Sequence, residues 1–301
     1  MIDSGIESRG LILEVLSMNR STYRNQLHVR SFIAWAAPIV RGERPLSHRW
    51  HSAKFGGWSC KSIFDAYCCF DWRYSVRLPG DSHKISGCSF DENANVLSRL
   101  QHILRDSAAT GDTDSFLEAA IAVVQWGGVY RNTGRLRDLG QGALSQFCVA
   151  SKQLDPTSAD TEDLSEVQDM NSGFSKIYSL LVDGLPIYDS RVACALASLV
   201  RSYCQERGLR KVPPELAVGI PSNRAIASRD PSVGSIQFPK LRWGEKRKYA
   251  VSNLKAAWLL EPLAAEGRFG ELPSGLLALQ SALFMIGYKV PEQGYLGRRF
   301  R

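Results

Sequence analysis

The stretch GFSKIYSLLVDGLPIYDSRVACAL, residues 173–196, decides how the chain is interpreted. Its first half has apolar residues at helical spacing, namely Ile177, Leu180 and Leu181. Gly184 and Pro186 then mark a turn. The helical spacing resumes after the turn with Val192, Leu196, Leu199 and Tyr203. The sequence therefore predicts two helices joined by a tight turn.

A charged residue stands at the start of each of these helices. Lys176 opens the first helix, for which Ser172 or Ser175 is the expected cap, and Asp189 or Ser190 caps the second. The positive end of a helix dipole disfavours an ammonium and favours a carboxylate. A partly buried lysine there would have its pKa lowered toward the nucleophilic form, with the aspartate ionised. The pair therefore indicates an amine nucleophile with a charge-stabilising partner, and a solvated lysine with a plain helix cap is the alternative.

The rest of the chain predicts a mainly α protein. Helical patterns occur at residues 95–107, 113–126, 138–152, 163–170, 247–266 and 273–287. The second of them is expected to begin after Asp112 or Thr113 and to stop at Gly127. Residues 45–95 interleave aromatic side chains with Gly and Ser and predict short strands or irregular structure, whereas residues 211–240 predict a long loop. We therefore divide the chain into an N-terminal region, 1–95, and a helical core, 96–301, that contains the catalytic segment 165–205.

Composition limits the classes of function. The longest apolar run, residues 31–40, is too short to span a bilayer, and the first 25 residues lack the pattern of a signal peptide. The seven cysteines form no CxxC pair, and the five histidines are scattered, which argues against a disulfide framework and a metal site. We expect a cytoplasmic monomer that needs no membrane, no metal and no cofactor.

The charge of the chain lies in its second half. Residues 1–175 carry 18 basic and 20 acidic side chains, whereas residues 176–301 carry 19 basic and 10 acidic ones. The basic side chains concentrate at residues 207–211, at 240–248 and at Arg298, Arg299 and Arg301. Clustered Lys and Arg attract phosphates, so the distribution favours a nucleic-acid partner, although a solvated basic face has the same composition.

The lysine, the proline-containing turn and the capping aspartate together resemble the helix-hairpin-helix DNA glycosylases, and most closely their lysine-bearing, 8-oxoguanine-type branch. Lys176 lies in SGFSK and Asp189 in LPIYDSRVA, and the resemblance extends over residues 165–205 and more loosely over 113–132. It implies a glycosylase-like helical core in which Lys176 attacks C1′ of a flipped nucleotide and then holds a Schiff base. It also implies that Asp189 stabilises the developing sugar cation.

The chain departs from this family in its hairpin. The family pattern Leu-Pro-Gly-Val-Gly is replaced by MNSGFSK, which has the single glycine Gly173 and no proline, and the spacing from lysine to aspartate is shorter. Asn171 and Ser172 remain candidate donors to a DNA phosphate. The cysteine pattern of the iron–sulfur branch is missing, and residues 1–95 do not resemble the family's usual antiparallel domain.

Four further residues are candidates for the base pocket or for DNA binding. Trp126 and Asn132 flank a glycine pair in WGGVYRN and are placed at the pocket wall, with a core tryptophan in a capped helix as the alternative. Tyr188 is expected to stack on the nucleotide or to pack under the turn. Arg191 is expected to bind a phosphate or to pair with an acid.

These inferences lead to one function and two rivals. We expect a DNA glycosylase with AP-lyase activity that excises a damaged or modified base from duplex DNA by base flipping. An oxidised purine is the substrate that the family implies, and a hypermodified base of phage DNA is the alternative. The rivals are a non-enzymatic helical module that binds nucleic acid through its basic half, and a hydrolase that uses Cys60 or Cys69.

Overall fold

The computed structural model describes residues 17–53, 55–221 and 229–291. Within these ranges the protein forms twelve α-helices and three two-stranded sheets, which confirms the mainly α class. The helices are α1 (Arg20–Asn25), α2 (Leu27–Val40), α3 (Ile63–Cys68), α4 (Phe90–Thr110), α5 (Thr113–Trp126), α6 (Arg131–Leu139), α7 (Gly142–Gln153), α8 (Phe174–Leu181), α9 (Ser190–Glu206), α10 (Lys246–Ala264), α11 (Gly267–Gly270) and α12 (Gly275–Ile286). The strands are β1 (His48–Ser52), β2 (Gly56–Cys60), β3 (Tyr74–Val76), β4 (Ile85–Gly87), β5 (Ile220–Pro221) and β6 (Lys240–Leu241). The pairs β1–β2 and β3–β4 are antiparallel, and β5–β6 is parallel.

Local sequence signals set several helix ends. The Asp112 carboxylate accepts a hydrogen bond from the Ser115 amide at 3.1 Å and so caps α5, which ends before Gly127 as predicted. Helix α4 begins at Phe90, before its expected start, because Ser89 and Glu92 form a capping box. The helices predicted at 247–266 and 273–287 are confirmed as α10 and α12.

The predicted helix at 163–170 is wrong. This segment forms turns and irregular structure, and it buries the apolar side chains of Leu164, Val167 and Met170. Its last acidic residue, Asp169, is held by tertiary hydrogen bonds, because the carboxylate accepts from Arg135 at 2.8 Å and from Gln146 at 2.9 Å. These long-range contacts outweigh the local helical pattern. The predicted loop at 211–240 does contain β5 and β6, and residues 222–228 lie outside the described ranges.

The N-terminal region is more helical than the sequence predicts. Short strands are present, as expected, but α1, α2 and α3 accompany them. Helix α2 packs on α9 and α10, and α3 packs on α12, so the described part of the N-terminal region, from residue 17 onward, shares one hydrophobic core with the later helices.

The segment that contains Lys176 and Asp189 lies at the centre of the fold. Helix α8 packs against α4 and α5, and α9 packs against α12 and α2. Every residue of α9 from Arg191 to Cys204 is buried. In the turn between α8 and α9, Asp183 and Gly184 are exposed, whereas residues 185–189, which lead into α9, are buried.

The described residues also bear on membranes and metals. Among them, no helix combines the length and apolarity required to cross a bilayer. No set of three or more His, Cys, Asp or Glu side chains in the same ranges is placed to hold a metal ion. The terminal arginines Arg298, Arg299 and Arg301 lie outside the described residues.

Candidate active site

Helix α8 begins close to the expected place, with Gly173 as its N-cap residue, and the turn before it is held by Asn171, which the sequence analysis assigned to phosphate binding. The Asn171 side-chain oxygen accepts hydrogen bonds from the amides of Gly173 at 2.7 Å and Phe174 at 3.1 Å. Ser172 and Ser175, the expected caps, make other contacts: Ser172 Oγ bonds the Tyr249 hydroxyl, and Ser175 Oγ donates to the carbonyl of Ser172. Asn171 thus holds the turn that leads into α8, where its amide oxygen is already used.

Asp189 caps α9, as predicted, and also faces the lysine. Its Oδ1 accepts hydrogen bonds from the amides of Arg191 at 2.9 Å and Val192 at 3.1 Å. Its Oδ2 lies 3.6 Å from Lys176 Nζ. The loop before it is fixed by the Gln280 side chain, which accepts from the Ile187 amide at 2.6 Å. One carboxylate therefore serves both the helix and the lysine.

Lys176 is buried, with 4% of its surface exposed. Its Nζ donates to the carbonyl of Ser172 at 2.8 Å, and its aliphatic chain runs past Gly127, where a Cβ atom would lie 2.5 Å from both Cδ and Cε. Burial lowers the pKa of Lys176 below its ordinary value, although the Asp189 carboxylate acts in the opposite direction. The site therefore favours a larger share of the neutral, nucleophilic amine than an exposed lysine has.

Asp189 is buried to a similar degree, yet it stays ionised. Burial alone would raise its pKa, but the Lys176 charge, the Val192 amide and the nearby guanidinium groups of Arg191 and Arg229 outweigh burial and lower it. The site therefore holds a fixed negative charge beside a lysine whose proton is destabilised.

Both residues line a cavity of about 1350 Å³. Seven basic and two acidic side chains reach its wall, so the cavity is positively charged. The basic residues are Arg131, Arg135, Lys176, Arg191, Arg229, Arg242 and Lys246, and the acidic residues are Asp169 and Asp189. Asp169 is itself engaged by Arg135. The other candidates that line the cavity are Trp126, Asn132, Asn171, Ser172, Gly173 and Arg191.

Trp126 and Asn132 form part of the wall, and both also hold the local structure. The Trp126 indole donates to the Asn93 side-chain oxygen at 2.9 Å, and its carbonyl accepts from the Trp72 indole at 3.1 Å. The Asn132 amide donates to the Val129 carbonyl at 3.3 Å. Trp126 therefore combines the two roles that the sequence left open, since it is a core residue with one face on the cavity.

Tyr188 is not part of the cavity wall, so its predicted stacking on a nucleotide is wrong. Its ring is fully buried, and its hydroxyl donates to the Gly219 carbonyl at 2.6 Å. Its carbonyl accepts hydrogen bonds from Ser175 Oγ and from the Tyr249 hydroxyl. Tyr188 packs under the turn, which is the alternative that the sequence offered, because its neighbours enclose it completely.

Sequence reasoning missed several residues of the wall, and they come from distant parts of the chain. Phe284 has the apolar helical spacing of a core residue, yet it lines the cavity with Trp72 and Gln280. Tyr130 and Trp243 also line it and are 64% and 87% exposed. The signal that could have found them is an aromatic residue directly beside an arginine, as in Tyr130–Arg131 and Arg242–Trp243, which is typical of nucleic-acid contact.

The structure does not favour Cys60 or Cys69 as a nucleophile. Burial raises the pKa of the Cys60 thiol to about 12, and burial also raises that of Cys69. Neither residue is part of the cavity wall. A thiol that holds its proton so firmly is a poor nucleophile, which weakens the hydrolase rival.

Comparison with known proteins gives this chain no relative to argue from. No protein-family model, no curated protein and no solved structure matches the chain.

Proposed function

We propose that this protein is a DNA glycosylase with AP-lyase activity, a divergent member of the helix-hairpin-helix superfamily. The observation that carries the proposal is the buried pair of Lys176 and Asp189, 3.6 Å apart, in a large basic cavity. An amine nucleophile must be both desolvated and placed next to its electrophile. Lys176 meets the first condition through its burial and the second through its position on the cavity wall.

The reaction that fits this pair begins at C1′ of a flipped deoxynucleotide. The lone pair of neutral Lys176 Nζ forms a bond to C1′, while the electron pair of the glycosidic bond leaves with the base, which takes up a proton. The protonated secondary amine loses a proton, the C1′–O4′ bond then breaks with O4′ taking up a proton, and the nitrogen lone pair forms the C1′=N bond of a protonated imine with Lys176. The Asp189 carboxylate offers its negative charge to the sugar as positive charge develops there. The imine acidifies C2′; a C2′ proton passes to a base, its electron pair forms the C2′=C3′ bond, and the C3′–O bond breaks with the 3′ phosphate as leaving group, which cleaves the strand.

The mouth of the cavity suits a DNA duplex. Arg131, Arg242 and Lys246 lie on its wall and supply charge for backbone phosphates. Trp243 and Tyr130 present exposed rings on which bases can stack. A flipped base leaves a gap in the duplex, and aromatic side chains beside the pocket are suited to compensate the lost stacking.

The cavity has room for a flipped nucleotide together with its neighbouring backbone. Its volume of about 1350 Å³ exceeds the roughly 300–1,000 Å³ that is usual for small-molecule sites, and its wall includes the residues assigned above to the duplex. We propose a damaged or modified base as the substrate, with an oxidised purine, which the family resemblance implies, and a hypermodified base of phage DNA as the two classes to test. The first implies DNA repair and the second defence against phage.

Borohydride trapping tests the enzyme class and the nucleophile together. Duplexes that carry oxidised purines or hypermodified bases are incubated with wild-type protein, Lys176→Met and Asp189→Asn, and alkali then reveals abasic sites. We expect a covalent complex with wild type that is lost in Lys176→Met. The matched control is Lys255→Met, because Lys255 is also a buried lysine with a lowered pKa but lies outside the cavity wall. Trapping that survives in Lys176→Met would refute the assignment.

The basic charge of the second half of the chain favours one other function, a non-enzymatic nucleic-acid-binding module. This rival predicts salt-sensitive DNA binding that Lys176→Met leaves unchanged, and no alteration of any DNA in the panel. Unmodified product DNA together with unchanged binding would therefore favour the module over the enzyme.

A further inference from the structure

Arg191 is a buried cation that no described residue neutralises through a hydrogen bond. Only 8% of its surface is exposed, and it lines the cavity two residues after Asp189. Its guanidinium stands over the rings of Phe284 at 4.2 Å and Trp72 at 5.2 Å, both of which also line the cavity. Among the described residues its guanidinium has no hydrogen-bond acceptor. Aromatic rings stabilise the charge, and the N–H groups stay available to a ligand in the cavity.

A second arginine lies beside it. Arg229 also lines the cavity, donates to Ser190 Oγ at 2.7 Å, and shares the ring of Tyr288 with Arg191, at 5.5 Å and 4.7 Å respectively. Burial lowers the pKa of Arg191 to about 10, with the neighbouring Arg229 charge acting in the same direction. Arg191 still carries its charge at neutral pH. The two like charges repel each other, and an anion bound beside both would relieve that repulsion.

The nearby Asp189 carboxylate fills that role only in part, because its charge stabilises the charged form of Arg191 while both of its oxygens are already engaged. Asp189 Oδ1 accepts two amide hydrogen bonds from its own helix, and Oδ2 faces Lys176. Among the described residues, this corner of the cavity therefore has three positive charges, on Lys176, Arg191 and Arg229, against the one negative charge of Asp189. The guanidinium N–H donors lie at the cavity wall, where a ligand can reach them. Guanidinium pairs of this kind match the two oxygens of a phosphate or carboxylate.

We propose that Arg191 and Arg229 form an anion-binding subsite next to the Lys176–Asp189 pair, one that takes a phosphate or carboxylate group of the ligand. That the ligand is a nucleotide rests on the proposed function, whereas binding of an anion does not. Two sources supply this chemistry in DNA: a phosphate that flanks the flipped nucleotide, or a carboxylate substituent on the base itself. The subsite would hold the sugar over Lys176 in the first case and select the base in the second.

Calorimetry with small ligands tests the subsite without requiring any catalysis. The probes are inorganic phosphate, a deoxynucleoside, its 5′-monophosphate and 5-carboxydeoxycytidine. We expect the monophosphate or the carboxylated nucleoside to bind about 10- to 100-fold more tightly than the plain nucleoside. Arg191→Met and Arg229→Met should remove that preference, whereas Arg207→Met, an exposed arginine outside the cavity wall, should retain it.

Each outcome decides the proposal. If phosphate and the charged nucleosides bind no better than the plain nucleoside, or if Arg229→Met keeps the preference, the subsite is refuted. Arg229 is only partly buried, so this variant decides the matter even if Arg191→Met fails to fold. Anion binding that depends on both arginines, in a protein that traps no DNA, would support the subsite and reject the glycosylase. Preference for the monophosphate identifies the backbone as the source, and preference for the carboxylated nucleoside identifies the base.

Discussion

Replacing Gly127 with alanine places a methyl group where the Lys176 side chain runs. The new Cβ would lie 2.5 Å from Lys176 Cδ and Cε, whereas carbon atoms in contact are about 3.5–4.0 Å apart. One of the two groups must therefore move by about 1 Å. The Gly127 backbone, at φ −74° and ψ 0°, is one that alanine adopts readily, so the effect comes from the contact alone.

The size of the effect on stability and on reaction rate depends on whether the backbone at residue 127 or the Lys176 side chain moves. If Lys176 stays, overpacking costs about 1–3 kcal/mol, partly offset by about 0.4–1 kcal/mol of lost chain entropy in the unfolded state. If Lys176 moves, the protein stays stable, but the amine leaves its place 2.8 Å from the Ser172 carbonyl and 3.6 Å from Asp189. A displacement of this size costs about 100-fold in a reaction that depends on positioning.

Two measurements together separate these cases. Urea unfolding gives the free energy of unfolding, and single-turnover borohydride trapping gives the rate of imine formation. The matched control is Gly134→Ala in α6, where an added Cβ meets no atom within 4 Å and should stabilise the helix by about 0.5–1 kcal/mol. The reasoning is refuted if Gly127→Ala gains as much stability as Gly134→Ala and also traps DNA at the wild-type rate.

Three further predictions concern single side chains. Folding lowers the pKa of Asp189 from its ordinary value of 3.8, so the charged carboxylate stabilises the protein at pH values above 3.8. This stability is lost as the pH falls below that value. In urea unfolding at acid pH, Asp189→Asn should therefore lose less stability than wild type. Burial lowers the pKa of Lys255 from 10.5 to about 8. Between pH 8 and 10.5 the unfolded chain therefore binds more protons than the folded protein. The free energy of unfolding should rise with pH over this range, by at most about 3 kcal/mol. Lys255→Met should flatten this rise, and a rise of unchanged size would contradict the assignment. Trp243→Ala should weaken DNA binding by about 1–3 kcal/mol in a titration without changing stability, whereas Leu27→Ala, also exposed at 68%, should change neither.

The parts of the fold that the sequence predicts correctly are those governed by neighbours along the chain. Asp112 and Asp189 cap the helices that follow them, and each was identifiable because a short polar side chain preceded an apolar helical pattern. The failed helix at 163–170 shows the limit of such signals. There Asp169 is held by Arg135 and Gln146, and no local pattern records those contacts.

The cavity itself was beyond sequence reasoning for the same physical reason. Its wall combines Asn132 on α6, which the sequence did indicate, with Trp72 before α4, Arg229 after β5 and Gln280 on α12, which it did not. The last three residues join the wall only through tertiary packing, and their local patterns give no sign of it. Phe284 shows this most clearly, since a helical apolar spacing cannot distinguish a side chain facing the core from one facing a cavity inside the core.

The sequence offered two roles for Asp189, a helix cap and a partner of Lys176, and in the structure the same carboxylate makes both contacts. Oδ1 is occupied by the amides of Arg191 and Val192, which fix the carboxylate, and this leaves Oδ2 directed at Lys176. Burial raises the pKa of the carboxyl group, but the Lys176 charge and the Val192 amide lower it further than burial raises it, so the cap helps to keep the charge in place. Because two helix amides hold its Oδ1, Asp189 keeps its negative charge in a fixed position beside the buried Lys176. In this chain the capping pattern predicted the position of the carboxylate, and burial of Lys176 beside it supplies the contact on which the proposed chemistry depends.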